Sequence, residues 1–215
     1  MTKPARPRKE IESIKKTILA SALAILSEEG YGALTMRKIA ARTGMTAANI
    51  YNYFHNKDDI YLELVIQGFE LLHASLSEAV KTQGAPAERV RAIMDSYYNF
   101  SREHGQHYDI MFTLPTPKFN DFVGTGLEEK ARVEMDISDR IVAMLTGTVE
   151  EIFGGAGKIT HENAAARMIE AWTLIHGLVS LGKSRVLQYV ASDLDAIYAR
   201  MRDELLSFME GTFPV

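Results

Sequence analysis

The chain has 215 residues, 47% of them hydrophobic, enough to bury a core in one large domain or two modest ones without covalent staples. It contains no Cys, which excludes disulfides, thiolate metal sites and cysteine nucleophiles and suits a reducing compartment. The net charge of −4 hides an asymmetry: residues 1–57 hold ten Lys or Arg against four Glu, a net +6, while residues 58–215 hold 14 against 24 acidic groups, a net −10. A basic head on an acidic body is an electrostatic footprint confined to one end.

The N-terminus, with Lys3, Arg6, Arg8 and Lys9, is polar and basic and lacks the apolar run of a signal peptide. No stretch reaches the roughly 18 apolar residues of a membrane span, so the expected location is the cytoplasm. Ile11, Ile14, Ile18, Ala22, Ile25 and Leu26 recur at helical spacing and predict a helix over 9–29, closed by Gly30. Thr35 is an N-cap candidate for a short helix carrying Ile39 and Ala40, which Gly44 ends because glycine accepts the left-handed backbone of a helix C-terminus. Two residues on, Thr46 caps a second short helix through Ala47, Ala48, Asn49, Ile50, Tyr51 and Tyr53. A glycine-containing turn this short sets two helices at a steep angle, the helix-turn-helix arrangement. Asn56 then caps a third helix, with Asp58 and Asp59 in its first turn, where the helix dipole favours negative charge.

That third helix continues through Leu62, Val65, Ile66, Phe69, Leu72 and Leu76 to about Lys81, which makes it a link from the basic head to the body. Gly84 and Pro86 interrupt the pattern before Val90, Ile93, Met94 and Tyr97 carry a helix to His104 and Gly105. A shorter helix takes in Tyr108, Met111 and Phe112, and Pro115 and Pro117 end it in a long loop with Gly124 and Gly126, expected to be mobile. Val133 to Ile152 mark a long helix ending at Gly154 and Gly155; Ala165 to Leu181 form one that is apolar on more than one face. Ser192 and Asp195 have capping-box spacing at the start of a last helix with Leu194, Ile197, Tyr198, Met201, Leu205 and Phe208. The reading is all-α, about nine helices without a strand, divided into a three-helix helix-turn-helix domain over 1–56 and a larger helical domain over 57–215.

Catalytic and metal chemistry find no support. His104 and His107 lack a third ligand. Gly154–Lys158 has Ile152 and Ile159 where a phosphate loop needs Gly and Ser or Thr, and reads as a helix-ending turn. Ser75, Ser77, Ser180 and Ser184 lie within helices with no nucleophile elbow. No cofactor is expected and the chain does not read as an enzyme.

Thr35, Arg37, Ile39, Ala40, Gly44, Thr46, Ile50, Tyr51, Tyr53, Phe54 and Lys57 stand in the order and spacing of the N-terminal domain of the TetR family of transcriptional repressors, which the first 80 or so residues resemble. Trp172, His176 and Gly177 resemble the shorter pattern of the WHG type of TetR C-terminal domain. The resemblance implies a regulator that binds a double-stranded DNA operator. In that family Thr35, Thr46, Tyr51, Tyr53 and Lys57 match phosphate-contacting positions, and Arg37 matches one that reaches a base edge. Ala47, Ala48 and Asn49 would face the groove floor. An arginine can pair bidentately with guanine and an asparagine with adenine, each worth roughly 1–3 kcal/mol of discrimination.

The resemblance further implies a homodimer in which the last two helices meet their copies, with Leu174, Leu178, Leu181, Ile197, Met201 and Leu205 at the interface, and hence a near-palindromic operator. Tyr97, Phe100, His104, Tyr108, Met111, Phe112, Trp172 and His176 form an aromatic and methionine-rich set suited to an apolar small-molecule effector, although such residues at helical spacing also serve as plain core. The resulting expectation is a repressor released from DNA by that effector. The alternatives are a DNA-bound organiser that acts through a protein partner, a helical enzyme with a vestigial DNA head, and activation in place of repression.

Overall fold

The computed structural model describes residues 7–153 and 160–209, without the side chains of residues 208 and 209. The turn expected at Gly154–Lys158, Lys3 and Arg6 of the basic tail, and the side chain of Phe208 lie outside the described residues. Within them the chain is helical and carries no strand: α1 (Arg8–Glu29), α2 (Met36–Thr43), α3 (Ala47–Ile50), α4 (Lys57–Ala79), α5 (Pro86–Glu103), α6 (Gly105–Tyr108), α7 (Phe119–Phe122), α8 (Glu128–Phe153), α9 (His161–Lys183) and α10 (Leu194–Met209). No helix among these residues is long and apolar enough to cross a membrane.

Two compact units emerge, one taking the chain to Phe69 together with His104–Asp136, the other Glu70–Glu103 together with the chain from Ile137 onward. In the first, α1 packs on α2 and also on α6 and the π-helical turn Asp109–Thr113 that follows it. Ile18, Ala22, Ile25 and Leu26 of α1 are fully buried, whereas Ile11 and Ile14 are only half-buried. Burying a side chain of this size contributes about 1.5–3 kcal/mol, so α1 is held through its C-terminal half. Leu34, Ile39, Ile50, Ile60, Tyr108 and Ile110 complete that core at 0% exposure.

In the second unit α5, α9 and α10 pack on one another. A polar ladder joins α5 to α10: the rings of Tyr98 and Tyr198 stack with centroids 3.8 Å apart, and each hydroxyl donates to an aspartate, Tyr98 to Asp195 and Tyr198 to Asp95, both at 2.8 Å. Arg102 and Arg202 donate to the same two carboxylates. Burial and the hydrogen bond to Asp195 push the Tyr98 phenol up to about 12. Gly182 is where α9 approaches α10, since a Cβ there would lie 2.8 Å from Leu194 Cδ1.

The structure differs from the sequence reading in two places. The expected loop after Pro117 contains α7, closed at its N-terminus by Lys118 N–H donating to Asp121 Oδ2 at 2.8 Å; a single helical turn between prolines and glycines has no periodicity to reveal it. With it the described residues hold ten α-helices, in keeping with the expected nine or so. The last helix is capped by Asp193, whose Oδ1 accepts from Ala196 N–H at 2.9 Å, and not by Ser192. The neighbouring Asp195 is engaged by Tyr98 and Arg102 instead.

Candidate nucleic-acid interface

The local chemistry of residues 35–59 produces the helix-turn-helix. Thr35 Oγ1 accepts from Lys38 N–H at 3.1 Å and opens α2. Gly44, at φ 69° and ψ 17°, closes it, and both its N–H and that of Met45 reach the Ala40 carbonyl. Thr46 Oγ1 accepts from Asn49 N–H at 3.2 Å and opens α3. The α-helical part of α3 is one turn; the chain then tightens, with Tyr53 N–H and Phe54 N–H sharing the Ile50 carbonyl. Asn56 Oδ1 accepts from Asp59 N–H at 2.8 Å and starts α4. Ile39, Ala40, Ile50 and Phe54 are buried beneath the turn and fix its angle.

The residues expected to meet DNA sit on the outside of this motif. Thr35, Arg37, Thr46, Ala48 and Tyr51 are exposed, and Ala47, Asn49, Tyr53 and Lys57 are half-exposed. Each capping hydroxyl uses a lone pair to accept a backbone N–H, which leaves its own hydrogen to donate to a phosphate oxygen. The three cations of α2 divide. Arg42 donates to both oxygens of Glu28, at 2.7 and 2.8 Å, and holds that carboxyl below its usual range, while Lys38 pairs with Glu29. Arg37 has no such partner among the described residues and faces solvent. Lys57 Nζ lies 4.3 Å from the Tyr31 ring centroid, and the Tyr31 hydroxyl donates to Asp58, so the ammonium rests on an anchored aromatic platform. Sequence reasoning passed over Asn52, which is exposed one turn beyond Asn49 with its amide 3.5 Å from Asn49 Oδ1. Its polar type on that face was the available signal.

The eight residues read as effector contacts fall into separate groups. In the second unit Trp172 Nε1 donates to the Tyr97 hydroxyl at 2.9 Å, and that hydroxyl lies 3.4 Å from His176 Nδ1. Burial pushes the His176 imidazole pKa down. Phe100, in the same unit, is 1% exposed. In the first unit Phe112 makes edge contacts with Tyr108 and Phe69, at 5.3 and 5.8 Å between centroids, and Met111 lies against Gly68. His104 is half-buried there. Two clefts lie within the units, one of about 500 Å³ lined by Tyr31, Asp58, Asp121 and Phe122, the other of about 300 Å³ lined by Tyr98, Arg102, Leu178 and Leu194. None of the eight lines either cleft, whereas Leu178, assigned to the interface, lines the second. Among the described residues no group of three His, Asp or Glu could hold a metal ion.

A capped helix-turn-helix whose outer edge carries two hydroxyls, an aromatic-seated lysine and an arginine unpaired among the described residues defines a DNA-binding protein. The family model described as bacterial regulatory proteins, tetR family, matches residues 18–64, and that described as tetracyclin repressor-like, C-terminal domain, matches residues 90–205, more than half of the chain. The chain belongs to the TetR family of DNA-binding transcriptional regulators, and neither the family nor its relatives are enzymes. It is 23% identical over 206 residues to an uncharacterized HTH-type transcriptional regulator of Mycobacterium tuberculosis, covering 96% of this chain and 84% of that one. It is 26% identical over 106 residues to the HTH-type transcriptional activator FasR of Mycolicibacterium smegmatis, a match that spans 49% of this chain and under half, 46%, of the relative. The crystal structure of the transcriptional regulator FadR from Bacillus subtilis in complex with stearoyl-CoA shares the fold, with a TM-score of 0.65 at 17% identity over 93% of this chain and 99% of that one.

Proposed function

We propose that the protein is a homodimeric repressor that holds a near-palindromic operator and releases it when a mostly apolar effector binds the body. The observation that carries the dimer is the double-sided character of α9: Ile175 and Val179 are buried within its own unit, while Leu174 and Leu181, on the other side of the helix, are 45% and 46% exposed. A soluble chain rarely leaves such a face open, and a second copy covers it economically. To the same interface the proposal assigns Leu178, Ile197, Met201 and Leu205, all half-buried. Two heads on a twofold axis would address half-sites about 34–36 Å apart.

For DNA contact the proposal assigns phosphates to Thr35, Thr46, Tyr51, Tyr53 and Lys57, a base edge to Arg37, and the groove floor to Ala47, Ala48 and Asn49. For the effector it assigns Tyr97, Trp172 and His176, together with Phe100, His104, Tyr108, Met111 and Phe112. A lowered His176 pKa keeps that imidazole neutral near pH 7, which suits an apolar ligand. The stearoyl-CoA held by the FadR structure supports a long-chain acyl thioester as the first candidate. The FasR relative is described as an activator, which favours a second reading in which the same switch turns transcription on. An organiser without an effector is the remaining alternative. Calorimetry of the purified protein with stearoyl-CoA and other long-chain acyl compounds, paired with operator binding, separates these: heat with release of DNA supports repression, heat with tighter binding supports activation, and no heat with any of them favours the organiser.

A further inference from the structure

Lys130, in the first turn of α8, anchors its ammonium on the start of α4. It donates to the Asp59 carbonyl at 3.0 Å and to Asp59 Oδ1 at 2.6 Å, and pairs with Glu63 Oε2 at 2.7 Å. The second Asp59 oxygen, Oδ2, accepts from His55 N–H at 2.9 Å. His55 follows Phe54, whose own N–H closes the recognition turn on the Ile50 carbonyl. Asp59 is 7% exposed and has both oxygens satisfied, so it is a buried, fully bonded junction between one amine and the backbone that leaves α3, the second helix of the helix-turn-helix and hence its recognition helix. Lys130 Nζ also lies 6.0 Å from the ring centroid of Phe54. An ammonium bonded to Asp59 and paired with Glu63 in this way is held against α4 and is not presented to a phosphate.

We propose that Lys130 is a positioning residue for DNA recognition: through Asp59 it ties the N-terminal end of α8 to the exit of the recognition helix, so that α8 as well as α4 sets where that helix sits. α8 is a single helix whose residues from Ile137 onward belong to the second unit. A displacement of α8 is thereby delivered to the end of the recognition helix through the Lys130–Asp59 junction in the first turn of α4. A tie of this kind acts because packed and hydrogen-bonded elements move as rigid pieces between discrete arrangements. The inference rests on the DNA-binding reading of residues 35–57.

The test uses the full-length protein and an operator selected by the wild type from a random duplex pool. Lys130→Met leaves the Asp59 carboxylate buried without its cation, so the main variant is Lys130→Met with Asp59→Asn, which removes both charges while the Asn oxygen still accepts from His55 N–H. With melting and circular dichroism showing it folded, its operator affinity is expected to fall about tenfold, mid-range for coupling carried by one network. The slope of log affinity against log salt should stay unchanged, because no phosphate contact is removed. Lys130→Arg is expected to restore affinity to within about threefold, and Glu63→Gln, which spares the Asp59 junction, to change it less than twofold. Wild-type affinity in a folded double variant would overturn the proposal, and a slope reduced by about 0.9 per head would show instead that Lys130 meets a phosphate. Failure of the wild type to select any operator would count against the DNA-binding reading itself.

Discussion

Lys57→Ala offers a quantitative probe of the interface. The lysine stands at the first residue of α4 with its ammonium 4.3 Å over the Tyr31 ring, which Asp58 anchors through the phenol. The ring covers one side of the ammonium and leaves the other open for the proposed phosphate contact. Each lost phosphate contact reduces the slope of log affinity against log salt by about 0.9. Two heads on one duplex therefore lose about 1.8, and over a fourfold rise in salt, from about 50 to 200 mM, the wild type should lose about twelvefold more affinity than the variant. The loss at fixed salt should be equal on operator and on scrambled duplex, because a phosphate contact carries no sequence information. Lys57→Arg should keep the slope. Removing the cation from the ring costs only about 0.5–1 kcal/mol at a partly exposed site, so the fold should survive. Fluorescence anisotropy with a labelled operator at several salt concentrations measures the slope, and an unchanged slope in Lys57→Ala would mean that the lysine serves only Tyr31.

Three further outcomes follow from local chemistry. Thr46→Ala removes the oxygen that accepts Asn49 N–H and should lower stability in urea by about 0.5–2 kcal/mol, with Thr46→Ser restoring most of it. Gly68→Ala would set a Cβ 2.5 Å from Met111 Sδ and 3.3 Å from His107 Cβ; the thioether can swing aside but the His107 Cβ cannot, so a loss of about 1–3 kcal/mol is expected, read as a lowered melting temperature. Burial raises the Asp59 pKa, but the hydrogen bonds from Lys130 and His55 N–H outweigh it and hold the carboxyl below its ordinary 3.8. A depressed native value stabilises the fold above the unfolded-state pKa and loses that contribution as pH falls below it. The urea midpoint should therefore drop between neutral pH and about pH 3 more steeply in the wild type than in Asp59→Asn, and parallel curves would show that Asp59 contributes nothing to acid sensitivity.

The head was legible because its signals are local. Thr35, Thr46 and Asn56 each bond a backbone N–H three residues on, and Gly44 adopts the left-handed conformation at the residue where periodicity breaks. At the last helix the same logic slipped by one residue, since Ser192 and Asp193 are both capable caps and only packing chooses. Contacts across long sequence separations left no trace to read. Arg42 and Glu28 are 14 residues apart, Lys130 and Asp59 are 71 apart, and neither pairing follows from helical spacing. The division of the α2 cations, among the described residues, into two paired and one without a partner is therefore a tertiary fact. Effector residues were the least legible, because cores and apolar pockets draw on the same side chains: Phe100 and Tyr108 are almost fully buried, while Trp172 is 43% exposed.

Selection of a random duplex pool by the purified protein, with native mass spectrometry of the selected complex, tests the central claim most directly. The account predicts enrichment of a near-palindrome whose half-sites lie about one helical turn, 10–10.5 base pairs, or a multiple of it apart, with an even number of chains on each duplex. A single asymmetric site holding one chain, or no enrichment at low salt, would contradict it.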